Sequence, residues 1–214
     1  MLTKYGRRTA LSLGLPLLGG TVLIAWHYPP AGLITLVPAL FTFSFFRDPR
    51  RETAGGENHV VAPADGKVVE VGTVEKAPLL DAPAHKVGIF MSIFNAHVNR
   101  LPLEGKLLAV QKNPGKFLNA LKAASARENE NVTTLWERSD GLRFVVRQIA
   151  GVIARTVVCE PRPGAVVQRG EAFGMIKFGS RTELYLPVSS EFKAEVKTGQ
   201  AVRAGSTILG KVKA

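Results

Sequence analysis

The feature that most constrains this chain is a long uncharged segment near its N-terminus. No Asp, Glu, Lys or Arg lies between Arg8 and Arg47, and the segment contains two apolar runs separated by "HYPP". At about 1.5 Å per residue, either run folded as a helix approaches the length needed to cross a hydrocarbon core about 30 Å thick. Pro29 and Pro30 cannot continue a helix, so the sequence predicts an apolar helical hairpin over residues 1–46.

Basic residues flank the predicted hairpin on both sides: Lys4, Arg7, Arg8, Arg47, Arg50 and Arg51. By the positive-inside rule both ends stay in the cytoplasm, so we expect a location at the cytoplasmic face of the inner cell membrane, with His27 of the turn at the interface. A signal peptide is disfavoured because a second apolar run follows in place of a cleavage site and a polar sequence. A buried helix pair is disfavoured because the segment has little helical periodicity.

The charge balance and the cysteine content narrow the class of partner. Lys plus Arg outnumber Asp plus Glu by 28 to 17, a formal charge of +11, without a long run of one sign. A diffuse basic surface suits an anionic partner, and the apolar N-terminus favours an anionic membrane surface over nucleic acid, for which no binding motif is present. The single cysteine, Cys159, excludes an intramolecular disulfide framework and is interpreted as a core residue.

Residues 47–214 are predicted to form a mainly β (α+β) domain with one or two helices. A helix is expected over 115–129, and the last two predicted strands are expected to form a hairpin with Gly179-Ser180 between them. Short β-type runs punctuated by glycine and proline predict strands at 67–74, 85–94, 105–111, 132–138, 143–150, 154–160, Ala172–Phe178 and Thr182–Leu186.

A weak internal repeat indicates the architecture of this domain. The same Gly, Val, Gly spacing occurs twice, at Gly164, Val167 and Gly170 and at Gly199, Val202 and Gly205. Turns and strands in this order are typical of barrel-sandwich domains of the lipoyl and biotinyl kind. No lysine stands at a Met-Lys-Met tip, so we expect the architecture to serve another chemistry.

Three places carry side chains that could act together. Asp65 lies in "APADGKV", His97 in "IFNAHVNRLP", and Ser180 directly after Gly179. Taken singly, each has an ordinary structural explanation as a turn residue or as a histidine bonded to backbone. Taken together, they supply a hydroxyl, an imidazole to accept its proton and a carboxylate to orient the imidazole. No "GxSxG" elbow surrounds Ser180, which disfavours an α/β-hydrolase, and the nearest carbonyl is that of Gly179.

From about residue 45 to residue 187 the chain resembles the phosphatidylserine decarboxylases, and specifically their short form, to which archaetidylserine decarboxylases also belong. The resemblance is carried by "FFRDPRR", "APADGKV", "FNAHVNRLP", "NPGKFLNA" and "GEAFGMIKFGSRTELYLP". It implies a proenzyme in which Ser180 attacks the Gly179 carbonyl and the resulting ester undergoes β-elimination. The products are a β chain, 1–179, and an α chain, 180–214, in which residue 180 has become a pyruvoyl group after loss of ammonia.

The resemblance also implies the reaction and its residues. The pyruvoyl group, the expected covalent cofactor, condenses with the amine of phosphatidylserine and accepts the electrons released with carbon dioxide, which gives phosphatidylethanolamine. His97 is the expected proton donor. Arg100 stands where longer members carry a second histidine, and it is expected to bind the substrate's carboxylate or phosphate. No metal is expected.

Several alternatives stay open at this stage. The base that activates Ser180 is Asp65 acting with His97, or else His59 or His85. A second Gly-Ser pair, Gly205-Ser206, fits the repeat better than the processing segment and is set aside. The substrate could be phosphatidylserine or archaetidylserine, and the protein could form a homo-oligomer. A non-enzymatic, membrane-tethered barrel-sandwich module is the alternative of a different class.

Overall fold

The protein divides into two compact units in a computed structural model that describes residues 1–121, 125–151, 156–177 and 180–213. The first unit is Met1–Arg50 and the second is Arg51–Ala214. The first unit is a pair of helices, α1 at Arg7–His27 and α2 at Pro29–Phe45. The two prolines occupy the first turn of α2, where their missing N–H groups leave no helical bond unmade. The helical hairpin predicted from this proline pair is confirmed.

Small residues lie between the two helices, and large apolar residues face outward. Ala10, Gly14, Gly32 and Ala39 are buried. A Cβ atom on Gly32 would lie 2.4 Å from Cβ of Ala25, so the close approach of the helices requires glycine there. The outward residues include Leu13, Leu15, Val22, Leu23, Trp26, Leu33, Ile34, Val37 and Leu40. By length and composition α1 could cross a membrane, while α2 is a shorter apolar helix.

The second unit is built mainly from short strands. Its helical segments among the described residues are α3 at Ser125–Glu128 and a 3-10 turn at Val188–Ser190. The strands are β1 His59–Val61, β2 Gly66–Val74, β3 Ala84–Met91, β4 Val98–Arg100, β5 Gly105–Asn113, β6 Asn131–Glu137, β7 Arg143–Ile149, β8 Val157–Cys159, β9 Val166–Val167, β10 Ala172–Ile176, β11 Ser180–Pro187, β12 Lys193–Ala194, β13 Ala201–Val202 and β14 Ile208–Lys211.

These strands form three sheets that share one core. Eight strands follow the order β13-β2-β3-β11-β7-β6-β5-β9, and two smaller sheets have the orders β1-β14-β12 and β4-β10-β8. Trp136 of β6 and Phe173 of β10, which belong to different sheets, pack edge to face with ring centroids 5.7 Å apart. Both side chains are buried in the core. The predicted class, a mainly β barrel-sandwich domain after an apolar helix pair, is confirmed.

The internal repeat corresponds to two matching edges of the large sheet. Val167 lies opposite Gly105 at one edge, and Val202 lies opposite Gly66 at the other. The four glycines of the repeat all have φ between 74° and 96°, the left-handed region that glycine adopts without steric cost: Gly164, Gly170, Gly199 and Gly205. Each repeat therefore adds a short strand between two tight turns, which covers a sheet edge.

The helix predicted over 115–129 is wrong for most of its length. Among the described residues of that range, Ser125–Glu128 is helical, and 122–124 lie outside the described residues. The backbone N–H of Lys116 donates to the Glu128 carbonyl at 2.7 Å, and the Asn129 side chain bonds to both backbone groups of Leu118 at 2.8 Å. These bonds between distant residues replace the local bonds of a helix, which propensity alone does not reveal.

The hairpin predicted between the strands on either side of Gly179-Ser180 is also wrong. Strand β10 pairs with β4 and β8, whereas β11 pairs with β3 and β7. The chain therefore passes from one sheet to another between Ile176 and Ser180. This crossover lets Phe173 and Leu184 enter the shared core from different sheets. The other half of the predicted cleavage bond, Gly179, lies outside the described residues.

Candidate active site

Ser180 is the first residue of β11 and is fully buried. It lies opposite Met91, the last residue of β3, and its hydroxyl donates to Sδ of Met91 at 3.3 Å. A thioether is a weak acceptor, so this contact restrains the hydroxyl less than an oxygen acceptor would. Ser180 is thus placed in the interior of the sandwich, and its hydroxyl donates to a weak acceptor.

A buried polar network lies on the same face of the sheet as Ser180. Side chains alternate along a strand, so Thr182 shares the interior face with Ser180. Nδ2 of Asn99 donates to Oγ1 of Thr182 at 3.0 Å, and Nε2 of Gln148 donates to Oδ1 of Asn99 at 2.8 Å. All three residues are fully buried, and Oε1 of Gln148 has no hydrogen-bond partner among the described residues. The network joins β4, β7 and β11.

His97 directly precedes β4 and is fully buried. Its Nδ1 lies 2.9 Å from the Asn95 carbonyl oxygen. Because a carbonyl can only accept, Nδ1 carries a proton, and in the neutral ring Nε2 is the acceptor. The His97 carbonyl accepts a bond from the N–H of Ile176 at 3.2 Å. His97 is therefore attached by backbone to the end of β10, and through Asn99 its strand is attached to β11 near Ser180.

Asp65 is buried just before β2, and both of its carboxylate oxygens have partners. Oδ1 accepts from the backbone N–H of Ala204 at 2.8 Å, and Oδ2 forms a salt bridge with Nη2 of Arg51 at 2.7 Å. These contacts join the start of the second unit to one turn of the glycine repeat. Asp65 and His97 are not brought into hydrogen-bond contact in the described part of the chain, so the role of Asp65 in activating Ser180 stays a prediction.

Arg100 is the last residue of β4, and its side chain contacts both turns of the glycine repeat. Nη1 donates to the Gly170 carbonyl at 3.1 Å, and Cδ would lie 3.0 Å from a Cβ atom on Gly205. The guanidinium group is therefore positioned at the meeting point of the two repeat turns. Its proposed contact with substrate stays a prediction.

The remaining candidates of the sequence have other surroundings. Nδ1 of His59 accepts from the N–H of Gly56 at 3.0 Å, and the ring of His85 packs against Phe192 with centroids 5.9 Å apart. Cys159 packs at the margin of the core, and burial raises the pKa of its thiol to about 11, so it stays protonated at neutral pH. The Ser206 hydroxyl donates to the Glu52 carbonyl at 3.1 Å in a turn.

The opposite face of β11 carries a charged cluster that sequence reasoning missed. Arg181 and Glu183 are buried there, and the Tyr185 hydroxyl donates to Glu183 at 2.6 Å. Nζ of Lys86 lies 3.0 Å from both Glu183 and Glu70. Burial, reinforced by the Glu183 carboxylate, raises the pKa of Tyr185 above its ordinary value. A cavity of about 850 Å³ opens on this face, and Lys86, Tyr185 and Glu70 contribute to its lining.

Two residues of the network, Gln148 and Thr182, had a weak signal in the sequence. In "RFVVRQI" Phe144 and Val146 share one face with Gln148, so a polar residue follows two apolar residues at a core position. Thr182 precedes Leu184 and Leu186 on one face of β11 in the same way. A polar residue within an apolar alternation is either buried with a partner or at the end of a strand, and sequence alone does not decide between them.

Comparison with known proteins identifies the family to which this arrangement belongs. The family model described as phosphatidylserine decarboxylase matches residues 39–210. The chain belongs to the phosphatidylserine decarboxylase family. The resemblance noted from its motifs is thereby confirmed, and the match extends beyond them into α2 and β14.

Curated relatives of the family carry the name phosphatidylserine decarboxylase proenzyme. One from Magnetococcus marinus is 44% identical over 169 residues, which cover 79% of this chain and 77% of that protein. One from Syntrophus aciditrophicus is 43% identical over 203 residues, which cover 92% and 94%. One from Rhodopirellula baltica is 43% identical over 205 residues, which cover 95% and 82%. Membership in a decarboxylase family named for proenzymes implies a carboxy-lyase with a cofactor of the pyruvoyl type.

Proposed function

We propose that this protein is a self-cleaving proenzyme that decarboxylates phosphatidylserine to phosphatidylethanolamine and carbon dioxide. The observation that carries the proposal is the position of Ser180, a buried serine that begins β11, in a chain of this family. Through Thr182 and Asn99, β11 is bonded to the strand that follows His97. Family membership favours the enzyme over a non-enzymatic membrane-tethered module. The shared phosphoserine headgroup makes archaetidylserine the related substrate to be compared in the assay.

The self-cleavage would proceed through residues 179 and 180. Oγ of Ser180 would attack the Gly179 carbonyl carbon and replace the amide bond with an ester. Removal of the Ser180 α-proton would then release the Gly179 carboxylate, and hydrolysis of the dehydroalanine would release ammonia and leave a pyruvoyl group. The first step needs a hydroxyl that can leave its resting contact, and the weak bond to Met91 meets that need. It also needs a base, and we propose His97, which directly precedes β4, with Asp65 as its expected partner.

The surroundings of residue 180 fit a pyruvoyl group. The interior face offers buried amide groups on Asn99 and Gln148. Oε1 of Gln148, unpartnered among the described residues, would accept from the substrate amine that condenses with the ketone, since the pyruvoyl oxygens have no proton to donate. A pyruvoyl group at this position would supply an electrophilic ketone for an amine and an adjacent carbonyl that accepts electrons. Burial would exclude water from the reacting atoms, and the Asn99 network would hold residues 180–182 in place.

His97 would supply the proton that replaces the lost carboxylate. Its Nδ1 is engaged by the Asn95 carbonyl, so Nε2 is the ring atom that would carry the transferred proton. Arg100 would add a permanent positive charge for the carboxylate or phosphate of the headgroup. A homo-oligomer stays a prediction.

The apolar helix pair would attach the enzyme to the membrane that contains its substrate. Large apolar side chains on the outside and small residues between the helices are the arrangement expected of helices in lipid, where packing of small residues replaces the hydrophobic effect. Basic residues at both ends would keep both ends at the cytoplasmic face of the inner membrane and favour an anionic surface.

Two serine variants test the proposal. The Ser180→Ala protein should remain a single chain and release no carbon dioxide from vesicles of phosphatidylserine, because the nucleophile and the precursor of the cofactor are removed. Ser206→Ala is the matched control, since Ser206 belongs to the other Gly-Ser pair, Gly205-Ser206. This variant should be cleaved and active like the wild type. A cleaved or active Ser180→Ala protein would contradict the proposal. Vesicles of archaetidylserine measured in parallel give the substrate preference.

A histidine variant tests the proton donor. Turnover is measured on the part of the His97→Ala protein that intact mass shows to be cleaved, because His97 is also the proposed base for cleavage. That cleaved protein should lose decarboxylation by several hundredfold or more, in the range of about 10²–10⁴ that a positioned acid contributes. His27→Ala, which removes a ring in the helix pair of the first unit, is the control and should keep its turnover. Unchanged turnover in His97→Ala would assign the proton transfer to another group.

A further inference from the structure

Cleavage before residue 180 would create a new chain end at the residue that takes part in the reaction. The α chain would begin at residue 180, the residue that carries the cofactor, and chain ends are poorly ordered unless they are tied down. In the uncut chain, the covalent link to Gly179 restrains Ser180. After the cut, that restraint is lost and the first residues of β11 become a chain terminus, and frayed chain ends are the parts of a sheet that open most easily.

Arg181 is held in place by side-chain salt bridges, which do not depend on the peptide bond that is cleaved. Its side chain points to the face opposite Ser180 and is 4% exposed. Nη2 forms a salt bridge with Glu183 at 2.9 Å and a second with Glu70 of β2. Gly88 of β3 leaves the space for this group, because a Cβ atom there would lie 2.7 Å from Nη2.

Breaking the contacts of Arg181 is energetically unfavourable because they involve buried charge. The Glu183 carboxylate is fully buried, so withdrawal of Arg181 would remove one of the cations that compensate it. Breaking a buried ion pair by removing one partner is strongly unfavourable, since a charge is left without compensation in a medium of low dielectric constant. Lys86 remains beside Glu183, so the cluster keeps some compensation and the fold itself does not depend on Arg181 alone.

We propose that Arg181 is a positioning residue that holds the new N-terminus of the α chain in register after self-cleavage. It acts through the backbone of residue 181, which lies opposite Phe90 of β3 and Ile149 of β7. The inference rests on the proposed function, since it assumes the cut before residue 180. It adds a requirement that arises after the cut: turnover depends on Arg181 more than cleavage does.

The test compares cleavage with turnover in three variants and one control. Arg181→Met removes the charge, Arg181→Lys keeps the charge without the planar fork, and Glu70→Gln weakens the partner that is partly exposed. Arg143→Met is the control, because Arg143 lies in the neighbouring strand β7 and forms a salt bridge of 2.9 Å with Glu137 while 58% exposed. Cleavage is read from the intact masses, and kcat and KM are measured on phosphatidylserine vesicles.

We expect Arg181→Met to be cleaved like the wild type while its kcat falls roughly ten- to a hundredfold, as displacement of a reacting group by about 1 Å produces. The kcat of Arg181→Lys and of Glu70→Gln should fall less, and the kcat of Arg143→Met should equal that of the wild type. A wild-type kcat in cleaved Arg181→Met overturns the proposal. If Arg181→Met does not fold, Glu70→Gln decides: a lower kcat with normal cleavage supports the proposal, and an unchanged kcat overturns it.

Hydrogen exchange separates a positioning role from a general structural role. In the cleaved protein, Arg181→Met should accelerate amide exchange at residues 181–183. In a Ser180→Ala background, which stays uncut, the same substitution should change exchange there much less. Equal acceleration in both backgrounds would overturn the proposal. An uncut wild type would instead contradict the proposed function, so the two failures are distinguishable.

Discussion

At the scale of single residues, the chemistry depends on which polar groups the fold places inside. Motifs located Ser180 and His97, and the structure places both in buried positions joined by β4, β10 and β11. The sequence did not reveal Asn99, Thr182 or Gln148, because a polar residue in a short strand usually faces solvent. Their burial depends on the register between strands far apart in sequence, which local patterns do not encode.

The bond from Asn99 to Thr182 is expected to contribute to stability. Thr182→Val keeps the shape of the side chain but leaves the buried Nδ2 of Asn99 without its 3.0 Å partner. We expect the free energy of unfolding to fall by about 1–3 kcal/mol, the cost of a buried donor that loses its acceptor. Urea unfolding of the uncut Ser180→Ala chain measures it, with Thr182→Ser as the control that retains the hydroxyl. A Thr182→Val chain as stable as its Ser180→Ala parent would show that the bond contributes nothing.

At the scale of elements, the sequence predicted where the strands lie better than how they pair. Among the described residues, the long predicted strands are confirmed within a few residues, because alternation and flanking glycines are local signals. Residues 154, 155 and 178 of the predicted strands lie outside the described residues. The helix over 115–129 failed because bonds from Lys116 and Leu118 to Glu128 and Asn129, at the other end of the same range, outweigh helix propensity. The hairpin across Gly179-Ser180 failed because two strands adjacent in sequence found partners in different sheets.

The helix pair depends on a glycine at its closest approach. A side chain at Gly32 would collide with the backbone of Ala25, whose Cα would lie 2.8 Å from the new Cβ. We expect Gly32→Val to destabilise the pair by about 1–3 kcal/mol through overpacking, read as a lower melting temperature of the helical circular dichroism in detergent micelles. Gly19→Val is the matched control, because nothing lies within 4 Å of a Cβ there. If both variants melt alike, the packing does not depend on Gly32.

At the scale of the whole molecule, an excess of positive charge coexists with buried and half-buried carboxylates. The chain carries a formal charge of +11, which suits an anionic membrane but opposes compaction. Burial raises the pKa of Glu70, but the hydrogen bond and charge of Lys86 and the charge of Arg181 outweigh it, so the pKa lies below its ordinary value of 4.5. The Arg138 hydrogen bond likewise lowers the pKa of Asp140.

These two carboxylates predict how stability changes with pH. Because their pKa values are lower in the native state than in the unfolded chain, their contribution is complete above the unfolded values and is lost as the pH falls through the native ones. We expect the free energy of unfolding to decrease below about pH 4.5, and Glu70→Gln with Asp140→Asn to reduce that slope. Urea unfolding of the uncut Ser180→Ala chain at several pH values measures this dependence. The fluorescence of Trp136 reports unfolding in a Trp26→Phe background. An unchanged slope in the double variant would contradict the assignment.

The central claim is that the protein's own backbone supplies its cofactor, and the intact mass of an active preparation tests it most directly. Protein purified with its phosphatidylserine decarboxylase activity should contain two chains, 1–179 and 180–214, with a pyruvoyl group in place of a serine at the start of the second. An active preparation that contains one unbroken chain, or a second chain that begins with an ordinary serine, would contradict the account.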